Sequence, residues 1–194
     1  MPLHTEPLDQ EDQDAIILDA RAGDLESLRE IFTTLVSPTL VTTCRDSLSK
    51  STPLHMAAAN DHPDVIIYLM SLVPADQQKK WVDAQNETGN TALHWASLNG
   101  NLECVKLLCD EYNADPFIRN SFEHDAIFEA EQNGRDEVET FYLKKYDVEP
   151  EQYDEANDET TTQSVQIKEG TEIEQVTKDA TEALRQKTQE LDLS

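Results

Sequence analysis

Apolar residues recur along this chain at helical spacing in four separate stretches. Leu25, Leu28, Ile31, Phe32 and Leu35 form the first, and Val65, Ile66, Leu69 and Leu72 the second. Leu102, Val105, Leu108 and Cys109 form the third, and Val138, Phe141 and Tyr142 the fourth. Each set falls on one face of a helix. A shorter segment precedes each: "DAIILDARAGDL" from Asp14, "STPLHMAAANDH" from Ser51, "GNTALHWASLNG" from Gly89 and "DAIFEAEQNGRD" from Asp125. Aligned on their turns, Gly23, Asp61, Gly100 and Gly134 fall in register, at intervals of 38, 39 and 34 residues. Polar, turn-forming stretches such as "RDSLSKS", "VDAQNETGN" and "DPFIRNSFEH" separate the units. The pattern predicts an all-α chain of four units, each a short helix, a turn and a longer helix.

A helix pair with a protruding turn at a period near about 33 residues is the ankyrin repeat, whose T-P-L-H-x-A signature stands intact from Thr52 and as "TALHWA" from Thr91. The expected fold is therefore an ankyrin-repeat solenoid of four repeats, near residues 14–46, 47–85, 86–120 and 121–146, within a domain spanning 13–146. Thr52 and Thr91 can cap the short helix through the hydroxyl oxygen. His55 and His94 can bond back to that hydroxyl and across to the backbone of the next turn. Ala57, Ala58 and Ala96 are small where helices approach closely, and glycine at 23, 100 or 134 permits the positive φ that ends a helix. The outer copies differ. Asp14 and Asp125 replace Thr as expected caps, and Ile17 and Phe128 replace His, as suits terminal repeats. Lys50 stands where the third copy has Gly89, which predicts a less regular second hairpin.

The longer first intervals place insertions of about five residues near "TLVSPTLVTTCRD" and "MSLVPADQQKKWVD", with Pro38 and Pro74 ending the preceding helices. Trp81 is expected to anchor the second lengthened loop, and Trp95 to lie in the core.

Thr91, His94 and Ser97 invite a catalytic reading because they sit within seven residues. A motif that repeats, with no second acid or base fixed beside it, lacks the geometry of a triad. We expect no catalytic residue, no cofactor and no metal.

Forty acidic residues against fifteen basic ones give a net charge of −25. Residues 147–194 hold fourteen acids and four bases, and residues 1–146 hold twenty-six and eleven, so both parts are acidic. Such a field repels nucleic acid and anionic lipid and favours a basic protein partner. Cys44, Cys104 and Cys109 show no metal or disulfide spacing and are expected as buried thiols in a reducing compartment. No apolar run approaches the roughly 20 residues of a membrane span, and the N-terminal stretch lacks the features of a secretion signal.

In an array of this kind partners bind the concave face made of turn tips and short helices. The repeat register turns Asp46, Leu48, Asn60, Glu87, Asn90, Leu98, Asn99, Arg119, Phe122, Glu123 and His124 outward there, a polar surface with a few apolar residues. Thr52, His55, Thr91, His94 and Gly100 remain structural. Asp46, Glu87, Glu123 and the N-terminal run Glu11, Asp12 and Asp14 supply carboxylates for a basic helical guest, residues 1–12 reading as an acidic N-terminal arm. Beyond the repeats, residues 147–170 read as an acidic disordered linker. Residues 171–194 open on a capping box at Thr171 and Glu174. Ile173, Val176, Ala180, Leu184 and Leu191 lie near one face, which predicts an amphipathic helix able to dock on the repeats or on a partner.

The runs "EPLDQEDQDAIILDARAGDL", "TGNTALHWASLNG", "KLLCDEY", "ADPFIRN", "DAIFEAE", "FYLKKYDVEP" and "TEIEQVTKDATEALR" resemble the small fungal ankyrin-repeat chaperones of a ribosomal protein, nearly end to end. That resemblance implies a client, the third protein of the small ribosomal subunit, which is basic and binds rRNA. It also implies a chaperone that keeps the client soluble until assembly, in cytoplasm and nucleus. The residues themselves say only that the partner is basic. A general ankyrin adaptor or inhibitor of a signalling or transcription protein is the rival reading. With no nucleotide-binding loop in the sequence, the expected chaperone is ATP-independent, a monomer before it meets its client, and binds no nucleic acid or membrane directly.

Overall fold

Helix α1 (Gln10–Ala22) starts where the Asp9 carboxylate accepts the Asp12 N–H and ends at Gly23, whose φ of 74° is left-handed. Asp24 then caps α2 (Leu25–Glu30) through the Ser27 N–H. A π-helical turn (Ile31–Leu35) extends it, and a 3-10 helix (Pro38–Thr43) follows. The second repeat is α3 (Pro53–Ala59), capped by Thr52, and α4 (Pro63–Ser71), followed by α5 (Ala75–Val82). Thr91 caps α6 (Ala92–Asn99), which turns at Gly100 into α7 (Leu102–Asp110). Asp125 caps α8 (Ala126–Gln132), and α9 (Asp136–Tyr146) closes the array. This computed structural model describes residues 3–146. The linker and amphipathic helix expected over 147–170 and 171–194 lie outside the described residues.

The first helices of the four repeats, α1, α3, α6 and α8, stack side by side, and α2, α4, α7 and α9 each back onto the first helix of their own repeat. The expected short-then-long order fails in the first repeat, where α1 has 13 residues and α2 has 6, because the cap at Asp9 starts α1 early. Ala20, Ala57, Ala58, Ala96 and Ala130 are fully buried, as close stacking of these first helices requires. Leu54, Val65, Ile66, Leu69, Leu93, Val105, Leu108, Val138 and Tyr142 fill the space between the two layers. The Tyr142 hydroxyl meets Ser97 Oγ at 2.6 Å, a buried bond that ties the last helix to the third repeat.

Several expectations are corrected. Asp14 does not cap the first helix; the chain turns helical at Gln10 because Asp9 is the cap, and Asp14 accepts a bond from Gln10 Nε2 (2.9 Å) inside the helix. Described residues 3–12, expected in an N-terminal arm, pack with the domain. The His4 N–H donates to Leu35 O and the Ser37 N–H to His4 O, both at 2.8 Å, and Leu8 is buried. Through Leu8 this segment joins the core of the first repeat and covers apolar surface there.

The lengthened connections are not plain loops. Pro38 opens a 3-10 helix and Pro74 precedes α5, since a proline that cannot continue one helix fits the start of the next. Trp81, 4% exposed, is buried as expected, but on a helix. Gln78 Nε2 ties α5 to Met70 O and Val73 O, and Lys79 Nζ ties it to Asn113 O. Trp95 is not core: it is half-buried and lines the concave side.

All three cysteines are free and buried. Burial pushes Cys44 and Cys104 up to about 12 and Cys109 to about 11, so they stay as inert thiols. Among the described residues no helix is long and apolar enough to cross a membrane.

Candidate partner-binding face

Three hairpin turns project from the array, and one device builds them all. The side-chain oxygen of Asn86 accepts the N–H groups of Thr88 and Asn90, and that of Asn120 accepts those of Phe122 and His124. Asp46 does the same for Leu48, Ser49 and Ser51. Lys50 (φ 58°), Gly89 (φ 77°) and Glu123 (φ 63°) occupy the same left-handed position before the last turn residue. The second hairpin is less regular in one respect, an extra residue between Asp46 and Lys50. The tips stack through backbone: Glu87 N–H donates to Ser49 O (2.8 Å) and Ser121 N–H to Thr88 O (3.0 Å). A Cβ on Gly89 would stand 2.8 Å from the Ser121 nitrogen, so only glycine lets the third and fourth tips meet this closely.

Behind the tips the Thr–His pairs fasten the second repeat to the third and the third to the fourth. The Thr52 and Thr91 N–H groups donate to Nδ1 of His55 (3.2 Å) and His94 (3.1 Å). Nδ1 therefore carries no proton and Nε2 does, and it donates to Asn90 O (2.9 Å) and His124 O (3.1 Å) respectively. Burial drives His55 down to about 4 and lowers His94 as well, so both rings are neutral near pH 7. A base locked at both nitrogens is scaffold, not catalyst.

The expected partner residues divide into two groups. Leu48 and Phe122 stand 84% and 67% exposed at the outer tips, with Glu87 between them. Asn60 and Asn99 are exposed and Leu98 half-exposed at the ends of α3 and α6. These are available to a partner. Asp46 is not: its carboxylate is consumed by the turn, including a bond from the Ser49 hydroxyl. Burial raises its pKa, but the bonds from Ser49, Leu48 and Ser51 outweigh burial and leave it lowered. Asn90 Oδ1 accepts from Asn120 Nδ2 (2.8 Å), and His124 Nδ1 lies 3.2 Å from Glu129 Oε1, its ring 4.1 Å from that of Phe128. Arg119 and Glu123 face each other at 3.7 Å on the surface.

Sequence reasoning missed the residue that follows the histidine position of the signature. Leu18, Met56 and Trp95 follow Ile17, His55 and His94 in α1, α3 and α6. Leu18 is 63% exposed, and Met56 and Trp95 are half-buried. The signal was present as the variable residue between His and Ala in the T-x-L-H-x-A motif. Met56 and Trp95 form, with Arg21, Ala59, Asn60 and Asn99, the lining of a groove of about 300 Å³. It is the place on this face where a guest can bury apolar surface.

Stacked helix pairs joined by hairpins in this way define a repeat-array binding protein. The ankyrin family, described as ankyrin repeats in three copies, matches residues 16–120, and the chain belongs to it. The α8–α9 pair lies beyond the matched copies as a fourth repeat. Among its relatives, the chain is 64% identical over 198 residues to the ankyrin repeat-containing protein YAR1 of Saccharomyces cerevisiae, spanning 100% of this chain and 99% of that protein. It is also similar, at 67% identity and a TM-score of 0.72, to a chain in the crystal structure of the yeast ribosomal protein Rps3 in complex with its chaperone Yar1. That match covers 75% of this chain and 99% of the other.

Proposed function

We propose that this protein is a dedicated chaperone that binds and shields the ribosomal protein Rps3 of its own cell, without ATP, before ribosome assembly. One observation carries the reading: 64% identity along the whole length of a protein whose structural counterpart is the chaperone of Rps3. The face described above suits the task. A ribosomal protein off the ribosome carries basic surface that seeks phosphates, and an acidic array with an apolar groove can hold it by charge outside and burial within. No residue acts on bound nucleotide or substrate in this reading; the work is binding alone. Release then needs competition from rRNA or an assembly factor. We place the protein in cytoplasm and nucleus, as a monomer until it meets its client.

The test is whether purified protein keeps Rps3 soluble. We expect light scattering from Rps3 diluted into physiological salt to be suppressed at a one-to-one ratio, equally with and without ATP. Suppression that requires ATP, or none at all while an unrelated signalling protein is bound tightly, would sink the proposal.

A further inference from the structure

The groove of the concave face is lined unlike the rest of this acidic chain. Arg21, in the last turn of α1, is the one cation among the described residues that line it. It makes no ion pair among the described residues, although forty carboxylates are available in the sequence. Its backbone is fixed, since its carbonyl accepts from His62 Nε2 (3.1 Å), and its side chain is exposed. Next to it Met56, Ala59 and Trp95 provide the apolar floor. Asn60 spends its Nδ2 on Met56 O (2.8 Å) and Asn99 on Ala59 O (2.9 Å). Each amide is thereby oriented, and each leaves its Oδ1 as an acceptor with no protein partner among the described residues.

A guest laid along this groove meets a cation at the first repeat, apolar surface over the second and third, and oriented acceptors beside it. A uniformly basic segment does not match that order, because it sets like charge against Arg21. We propose that the groove reads an acidic key within the basic client: a carboxylate that pairs with Arg21, next to apolar residues that cover Met56 and Trp95, with an N–H donor for Asn60 or Asn99. General charge attraction brings the client in, and Arg21 sets which segment seats and in which direction. This inference rests on the proposed function and names the chemistry of its partner segment.

The sign of one substitution tests it. Arg21→Glu makes the chain two charges more negative, so long-range attraction to a basic client rises. If Arg21 pairs with a client carboxylate, affinity for Rps3 falls instead, by tenfold or more, in full-length protein with an unchanged melting temperature. Arg21→Met, which cannot repel a carboxylate, falls less but in the same direction. Lys80→Glu is the control: exposed on α5, it carries the same charge change and leaves affinity equal or higher. One Asp→Arg or Glu→Arg substitution in Rps3 then restores binding to the Arg21→Glu protein. Equal or tighter binding by Arg21→Glu overturns the proposal. So does rescue by a substitution within residues 147–194, which would make the protein's own tail the occupant. Failure of the unaltered protein to bind Rps3 would be a different result and would sink the functional reading beneath it.

Discussion

His55 and His94 show how much of this protein's stability hangs on single polar fastenings. Each ring takes the Thr N–H on one nitrogen and reaches the next repeat's carbonyl with the other. Protonation breaks the first bond and puts a charge where burial opposes it. The sign follows from linkage. His55 is lowered to about 4 in the folded state from 6.5, so between those values the unfolded chain binds the extra proton. Stability is complete above the upper value and drains as pH falls through the window, by about 3 kcal/mol at one pKa unit per 1.36 kcal/mol. We expect urea midpoints to fall from pH 7 to pH 4 with a slope that His55→Gln reduces. A slope unchanged by that substitution would contradict the assignment. The same residues were the most readable in the sequence, because Thr52, His55, Thr91 and His94 recur at fixed offsets and their bonding capacity allows few arrangements. Trp95 was misread. An aromatic one residue from a buried His suggests core, but a helix turns 100° per residue and carries the next side chain to a different face. Asp46 was misread for a related reason: a sequence shows a charge, not the three N–H groups that have already claimed it.

At the scale of elements, the hairpins carry the geometry of the face. The third tip needs glycine twice over, for its φ of 77° and for the approach of Ser121. Gly89→Ala should therefore cost about 2 kcal/mol or more, above the roughly 1 to 2 kcal/mol of left-handed strain alone, because backbone must also move. Lys50 holds the equivalent position in the second hairpin at φ 58° with that strain unrelieved. Lys50→Gly should raise stability by about 0.5 to 1 kcal/mol, read as a higher denaturation midpoint. If both substitutions move stability the same way, the shared conformation is not what limits the two turns. Element boundaries were readable where a cap recurred and not where it did not. Asp9 lies upstream of the repeat pattern, so the sequence places the cap of the first helix five residues late, at Asp14. Pro74 reads as a terminator because the helix it admits, α5, has only the 3-10 helix after Pro38 as a counterpart, and no repeated motif marks either one.

The whole molecule acts through its charge. With −25 spread over both the repeats and the residues beyond them, attraction to a basic client is long-ranged, and the Debye length of about 10 Å at 0.1 M salt truncates it. We expect the association rate with Rps3 to fall at least tenfold between 50 and 500 mM salt, with the dissociation rate changing far less. A rate that ignores salt would leave apolar docking alone as the driving force. The acidic character is plain from composition; the placement of Arg21 in the groove is not, since that depends on how α1 lies against α3.

The fastening bonds also give the array a direction. His55 reaches forward to Asn90 and His94 forward to His124, and in the fourth repeat Phe128 takes the histidine's place. A phenyl ring has no proton to hand on. Another ankyrin unit, whether duplicated in the gene or presented by a second molecule, would bring its carbonyl to the end of the stack and find no donor there. The substitution that caps the fold thus also withholds the bond by which such arrays could concatenate.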